Sequence, residues 1–96
     1  MAAAANRIVE NRGGITVMDG GQILGEVALP IAGIMSDDSL VMVNSALEAA
    51  KDEALRLGVS RGIDPFMTLS FMALPVIPSL RLTTRGVFDV LTQRYV

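Results

Sequence analysis

Apolar residues recur at alternating spacings of three and four positions in the middle of the chain. The series consists of Leu40, Val43, Leu47, Ala50, Ala54 and Leu57. Because an α-helix completes a turn every 3.6 residues, this spacing places all six side chains on one face. Ser36 or Ser39 can cap the beginning of such a helix, and Gly58 stands where a C-terminal cap belongs. The series therefore predicts a central amphipathic helix.

Two acidic residues, Asp37 and Asp38, lie where this helix begins. A pair of carboxylates could contribute to a divalent metal site, but the pair alone lacks the other oxygen ligands that such a site needs. Acidic side chains also stabilise the positive N-terminal end of a helix. We therefore favour a capping role for this cluster over metal binding.

The N-terminal part of the sequence predicts a helix followed by a β-hairpin. Residues 2–11 are rich in alanine, which has the best helix propensity, and two glycines follow at positions 13 and 14. The segments 15–18 and 22–27 then flank Gly20 and Gly21, which suit a two-residue hairpin turn. With this turn, Met18 is expected to face Ile23, and Val17 to face Leu24.

Three further segments have the composition of short strands or buried connections. Residues 31–35 are apolar, but a proline precedes them and a glycine interrupts them, so we expect a buried connection or a short strand. Near the C terminus, residues 80–83 and 87–90 flank a turn at residues 85–86. This arrangement predicts two terminal short strands.

An aspartate followed by a proline, Asp64-Pro65, predicts the start of a second helix, with an N-cap and proline at the first helical position. Residues 66–74 continue this helix and are apolar on nearly all sides. We therefore expect burial on more than one side, with Met67 and Met72 as core-filling residues. A strand over the same residues is the alternative, because periodicity cannot decide so short a run.

Together these elements predict an α+β fold, in which residues 1–96 form a single small domain. Its parts are a β-hairpin, a central amphipathic helix, a short apolar helix and terminal short strands. The mean hydropathy of +0.49 is high for this length. Because a domain of this size buries only roughly 60–65% of its unfolded surface, apolar surface should remain exposed. We therefore expect a homo-oligomer.

Composition excludes several functional classes. The chain has no histidine and no cysteine, so it contains no Ser-His-Asp triad, no cysteine nucleophile and no tetrahedral zinc site of its own. Its net charge is −2 and it has a single lysine, so we expect no nucleic-acid partner. The uncharged run over residues 65–80 is too short and too rich in proline to span a membrane, and we expect a cytoplasmic protein without a membrane partner.

Longer motifs point to one family. These are GGI at residues 13–15, LPIAGIMSD at 29–37, DPFMTLSFMALPVIP at 64–78 and LRLT at 80–83. Together they closely resemble the C-terminal domain of bacterial adenine deaminases, which are members of the amidohydrolase superfamily. The resemblance covers nearly the whole chain. One departure is Thr84, where the family usually has an acidic residue.

The resemblance implies that the chain is one piece of a metal-dependent hydrolase. Family members convert adenine to hypoxanthine and ammonia in a preceding β/α barrel, where a metal lowers the pKa of the attacking water. We therefore expect an upstream catalytic barrel of the same protein as the partner. We expect the divalent metal, which is manganese, iron or zinc, in that barrel. In this chain we expect no catalytic residue, no metal ligand and no cofactor. The alternative is a stand-alone oligomerisation or small-ligand-binding module without enzymatic activity.

Two segments are candidates for a surface that faces the barrel near the mouth of its active site. Each begins at, or contains, an aspartate beside a helix start, where exposed backbone N–H groups could orient a polar group. The alternative is that the aspartates only cap helices and that Phe66 and Phe71 only fill the core. The candidate residues are Met35, Ser36, Asp37, Asp64, Phe66, Met67, Thr68 and Ser70.

Overall fold

Three helices and five strands make up the computed structural model, which describes residues 1–96. The contacts divide the chain into two compact units, residues 1–61 and residues 62–96. The predicted α+β class is confirmed. Unit 1 contains α1 (Ala2–Glu10), β1 (Gly14–Asp19), β2 (Gln22–Ala28) and α2 (Leu40–Arg56); unit 2 contains α3 (Pro65–Phe71), β3 (Leu80–Thr83), β4 (Gly86–Asp89) and β5 (Arg94–Tyr95).

The core of unit 1 forms where α2 crosses the β1–β2 hairpin. A side chain at Gly25 would bring its Cβ to 2.8 Å from the Cα of Ala50, so the strand backbone lies directly against the helix. Ala50 is completely buried, and Ala54 one turn later is also buried. Val17 and Val27 complete this core. Small residues on both elements thus permit the close packing.

The hairpin was predicted correctly in its strands and its turn, and wrongly in part of its register. Gly20 and Gly21 take φ angles of 57° and 81°, and Met18 pairs with Ile23 as expected. A β-bulge between Val17 and Met18 then shifts the register by one residue. Val17 therefore pairs with Gly25 rather than with Leu24.

An ion pair joins α1 to the hairpin. The Arg7 guanidinium donates two hydrogen bonds to the Glu26 carboxylate, at 2.7 Å from Nε and 3.0 Å from Nη2. Adjacent residues of a strand point to opposite faces, so Glu26 leaves β2 on the face opposite to Gly25 and α2. The hydrogen bonds from Arg7 hold the pKa of the Glu26 carboxyl below its ordinary value of 4.5. This bidentate pair fastens α1 to the side of the hairpin that α2 does not cover.

The apolar stripe of α2 is buried only in its middle. Leu40 at the first position and Leu57 at the C-cap are exposed, although the stripe predicted burial for both. The expected burial of residues 31–35 is also wrong, because Ile31, Ile34 and Met35 are exposed. These residues form a tight turn in which the backbones of residues 31 and 35 bond to each other, instead of a packed strand.

Unit 2 contains a three-stranded antiparallel sheet in the order β3-β4-β5. The two predicted strands are present, and β5 was not anticipated. The ring of Tyr95 on β5 packs edge-on against Phe88 on β4, with 5.1 Å between ring centroids. The guanidinium carbon of Arg85 also lies over the Tyr95 ring, 5.1 Å from its centroid. This aromatic contact and the pairing with β4 therefore hold the two-residue strand in place.

The predicted second helix exists as α3, but its predicted burial is wrong within this chain. Met67 is 55% exposed and Leu69 is 63% exposed. Met72, which was expected to fill the core, is also exposed, and so is Phe71. The apolar character of this segment is therefore not satisfied by contacts with the residues described here.

We predict that Gly25→Ala lowers the free energy of unfolding of this chain by about 1–3 kcal/mol, because the new methyl group overpacks the contact with Ala50. Urea denaturation followed by circular dichroism measures the change. Gly62→Ala is the matched control, since a Cβ there meets no atom within 4 Å. Equal stability of the two variants would contradict the packing described here.

We also predict that Glu26→Gln removes a pH-dependent part of the stability. The pKa of Glu26 is lower in the folded chain than in the unfolded chain, so its stabilising effect is complete above about pH 4.5. That effect is lost as the pH falls through the depressed pKa. The difference in unfolding free energy between the parent chain and Glu26→Gln should therefore shrink on acidification below pH 4.5.

Asp52→Asn serves as the control for this measurement, because it removes one negative charge from an exposed position on α2. A difference between the parent and Glu26→Gln that stays constant from pH 7 to roughly pH 2 would show that Arg7 does not stabilise the ionised carboxylate.

Candidate functional site

The first candidate group, Met35, Ser36 and Asp37, lies in the connection between β2 and α2. The backbone N–H of Ile31 donates to the carbonyl of Met35, and the N–H of Met35 donates back to the carbonyl of Ile31, both at 3.0 Å. These bonds close the turn and leave the Met35 side chain exposed. The hydroxyl of Ser36 accepts a hydrogen bond from the Asp38 N–H at 3.1 Å, and the Asp37 side chain is exposed.

Ser39, rather than Ser36, caps α2. Its hydroxyl accepts a hydrogen bond from the N–H of Met42 at 3.3 Å, which satisfies one of the free donors at the helix start. Ser36 instead stabilises the preceding turn through Asp38. The two alternatives for the cap are thereby resolved, and each serine has a defined local role.

A cavity of about 230 Å³ lies beside this group, between β2 and the first half of α2. Seven residues line it, and all but Glu26 and Asp38 are apolar. The carboxylate of Glu26 itself bonds to Arg7 on the opposite face of β2. The sequence did not reveal this cavity, because it forms only when the end of β2 meets α2. Its lining residues are Glu26, Val27, Ala28, Asp38, Met42, Val43 and Ala46.

The second candidate group surrounds α3. The Asp64 carboxylate accepts hydrogen bonds from the N–H groups of Phe66 and Met67, at 3.1 Å and 3.0 Å, which confirms the predicted N-cap. The hydroxyl of Thr68 donates to the Asp64 carbonyl, and that of Ser70 donates to the Met67 carbonyl, both at 2.7 Å. These polar side chains therefore stabilise the helix itself, while the apolar side chains beside them face outward.

The aromatic members of the second group differ in exposure. Phe66 is half-buried, whereas Phe71, five residues later, is exposed. The core-filling alternative is thus wrong for Phe71. The two candidate groups belong to different compact units, and a shared surface facing a barrel remains a prediction.

The residues described here do not fit a metal centre. The chain has no histidine or cysteine, and no three of its acidic side chains are grouped in a way that could hold a metal ion. In addition, no helix combines the length and the apolar character needed to cross a membrane.

A set of exposed apolar residues, not predicted from the sequence, surrounds the start of α2. Leu40, Val41 and Met42 are consecutive and exposed, and Ile34 precedes them. One helix face cannot hold three consecutive residues, so at least one side chain of this run had to be exposed. The run of three apolar residues was therefore the sequence signal for exposed apolar surface.

Comparison with known proteins places these features in a family. The chain matches the family described as adenine deaminase C-terminal domain over residues 1–94. It is 48% identical over 90 residues to the adenine deaminase of Bacillus subtilis (strain 168). It is 50% identical over 90 residues to adenine deaminase 2 of Carboxydothermus hydrogenoformans. It is 46% identical over 93 residues to the adenine deaminase of Listeria monocytogenes serovar 1/2a.

These matches cover most of this chain and a small part of each relative. They include 94% of the chain for the Bacillus and Carboxydothermus proteins and 96% for the Listeria protein. In each case the chain spans 16% of the length of the curated relative. Because the family match includes both candidate groups and both compact units, the chain belongs to the adenine deaminase C-terminal domain family.

Proposed function

We propose that this chain is the C-terminal part of an adenine deaminase, an enzyme that hydrolyses adenine with water to hypoxanthine and ammonia. The observation that carries this proposal is the 48% identity to the Bacillus subtilis adenine deaminase over 94% of the chain. Since the chain spans 16% of that relative, most of the proposed enzyme lies outside the residues described here.

The chemistry of the side chains supports a non-catalytic role for this chain within the enzyme. The chain offers no imidazole or thiolate, and none of its carboxylate groups fits a metal site. We therefore assign catalysis, together with any divalent manganese, iron or zinc, to an upstream barrel of the amidohydrolase class. A cytoplasmic homo-oligomer remains part of the proposal. The role of this chain in the enzyme is to contribute a surface to the catalytic part.

We assign this surface to the two candidate groups. Two features support the assignment: the Asp37 carboxylate is exposed next to the N-terminal end of α2, and α3 presents apolar side chains outward. An exposed carboxylate can orient a polar group of the barrel or a water molecule at its active site. The apolar side chains of α3 can exclude bulk water where they contact the barrel.

We predict that the longer polypeptide, with its upstream part, converts adenine to hypoxanthine and releases ammonia, whereas residues 1–96 alone do not. A spectrophotometric assay for hypoxanthine together with an ammonia assay measures both products. Activity of residues 1–96 alone would contradict the proposed non-catalytic role. An inactive longer polypeptide would favour the alternative of a binding or oligomerisation module.

We further predict that Asp37→Ala and Phe66→Ala, made in the longer enzyme, each lower kcat/KM by about tenfold, or about 1.4 kcal/mol of transition-state stabilisation. Metal content and secondary structure should not change. Asn44→Ala, at an exposed position of α2, is the control and should keep the parent kinetics. Parent kinetics accompanied only by a lowered Tm would assign both residues a structural role.

A further inference from the structure

A large apolar surface lies on unit 2, in a part of the chain without charges. Residues 65–80 contain no Asp, Glu, Lys or Arg. Six large apolar side chains from α3, the turn that follows it and β3 are nevertheless exposed. These residues, which we name the α3–β3 surface, are Met67, Phe71, Met72, Leu74, Leu80 and Leu82.

Backbone geometry connects the members of the α3–β3 surface. Met67 and Phe71 are four positions apart in α3, which places them on one helix face. In the turn that follows, the N–H of Leu74 donates to the carbonyl of Phe71 at 3.3 Å. Leu80 and Leu82 are two positions apart in β3 and share one face of the strand.

A hydrogen bond ties the helical part of this surface to the strand. The N–H of Leu82 donates to the carbonyl of Met72 at 2.8 Å. The end of α3 and the middle of β3 are thereby held next to each other. The six residues therefore belong to segments that backbone hydrogen bonds hold together.

Unit 2 has little core of its own. Val90, at 8% exposure, is the only buried hydrophobic residue among residues 62–96. Chains shorter than about 40 residues usually need disulfides, metals or association to remain folded. The sequence has no cysteine, and no side-chain group fits a metal. Unit 2 therefore has little buried apolar surface of its own to stabilise it.

We propose that the α3–β3 surface packs against an apolar surface of the upstream part of the same polypeptide, and that this contact holds unit 2 folded. The inference rests on the proposed function and extends it by naming the interface. The curated relatives contain far more chain than the matched segment, which is 16% of their length. A covalently attached partner is present at every protein concentration, whereas a second copy would leave unit 2 unsupported on dilution.

The scarcity of available charges defines the chemistry of the partner surface. No carboxylate or basic group lies between Asp64 and Arg81 in the sequence. The carboxylate of Asp89, which pairs with Leu80 across β3 and β4, already accepts two backbone hydrogen bonds. The matching surface must therefore consist mainly of aliphatic and aromatic side chains, since a charged group buried there would lack a partner.

The two methionines of the α3–β3 surface provide the test. Met67 and Met72 are exposed here, so hydrogen peroxide would oxidise them readily unless another surface covers them. In the native longer polypeptide we expect both to be oxidised at least about tenfold more slowly than in the same polypeptide unfolded in urea. Peptide mass spectrometry at several protein concentrations measures the rates, and light scattering measures the molar mass.

Matched variants locate the contact. Phe71→Asp together with Leu82→Asp should return the oxidation rates of Met67 and Met72 to within about threefold of the unfolded rates. Thr84→Asp, in the exposed turn after β3, should leave them protected. Unprotected methionines in the native parent would overturn the inference. So would protection that disappears on dilution as the molar mass falls, because a second copy would then be the occupant.

Deaminase activity is recorded on the same samples, so that the two proposals fail separately. Protected methionines in a polypeptide that does not deaminate adenine would support the interface and refute the proposed function. An active enzyme with unprotected methionines would support the proposed function and refute the interface.

Discussion

The close approach of Gly25 to Ala50 is the contact on which unit 1 depends. A side chain at position 25 would bring its Cβ to within 2.8 Å of the helix backbone, so hairpin and helix touch without an intervening layer of side chains. This proximity allows Val17, Val27 and Ala54 to become buried in so short a segment. Ala50 and Ala54 are small, and the larger apolar residues Leu40 and Leu57 at the two ends of α2 remain exposed.

The contact between Gly25 and Ala50 buries only part of the apolar surface of the chain. Arg7 and Glu26 fix α1 to the second side of the hairpin with a bidentate ion pair, which adds little apolar burial. Unit 2 buries Val90 and exposes most of its remaining large apolar side chains. The high mean hydropathy of +0.49 therefore reflects surface as well as core. In a family whose curated members are far longer, such surface is suited to contacts with the rest of the polypeptide.

Local signals predicted the elements well. The start of α3 followed from Asp64 and Pro65, and the hairpin turn followed from Gly20 and Gly21, because caps and turns depend on a few adjacent residues. The bulge at Val17 and the strand that contains Tyr95 were missed, since each depends on how two strands pair rather than on a few adjacent residues. For the candidate site, periodicity showed that α3 is apolar but not what covers it. The structure confirms the Asp64 cap, whereas contact with a barrel depends on residues beyond this sequence.

Native-state hydrogen exchange on the 96-residue chain tests most directly whether the self-sufficient core lies in residues 1–61. The account predicts slow exchange for amides of β1, β2 and the middle of α2, around Val17, Val27 and Ala50. Amides of α3 and β3 should exchange within about tenfold of the rates of an unfolded chain, because unit 2 lacks a core. Equal protection of the two units would contradict this account, since residues 62–96 would then be stable without an external apolar surface.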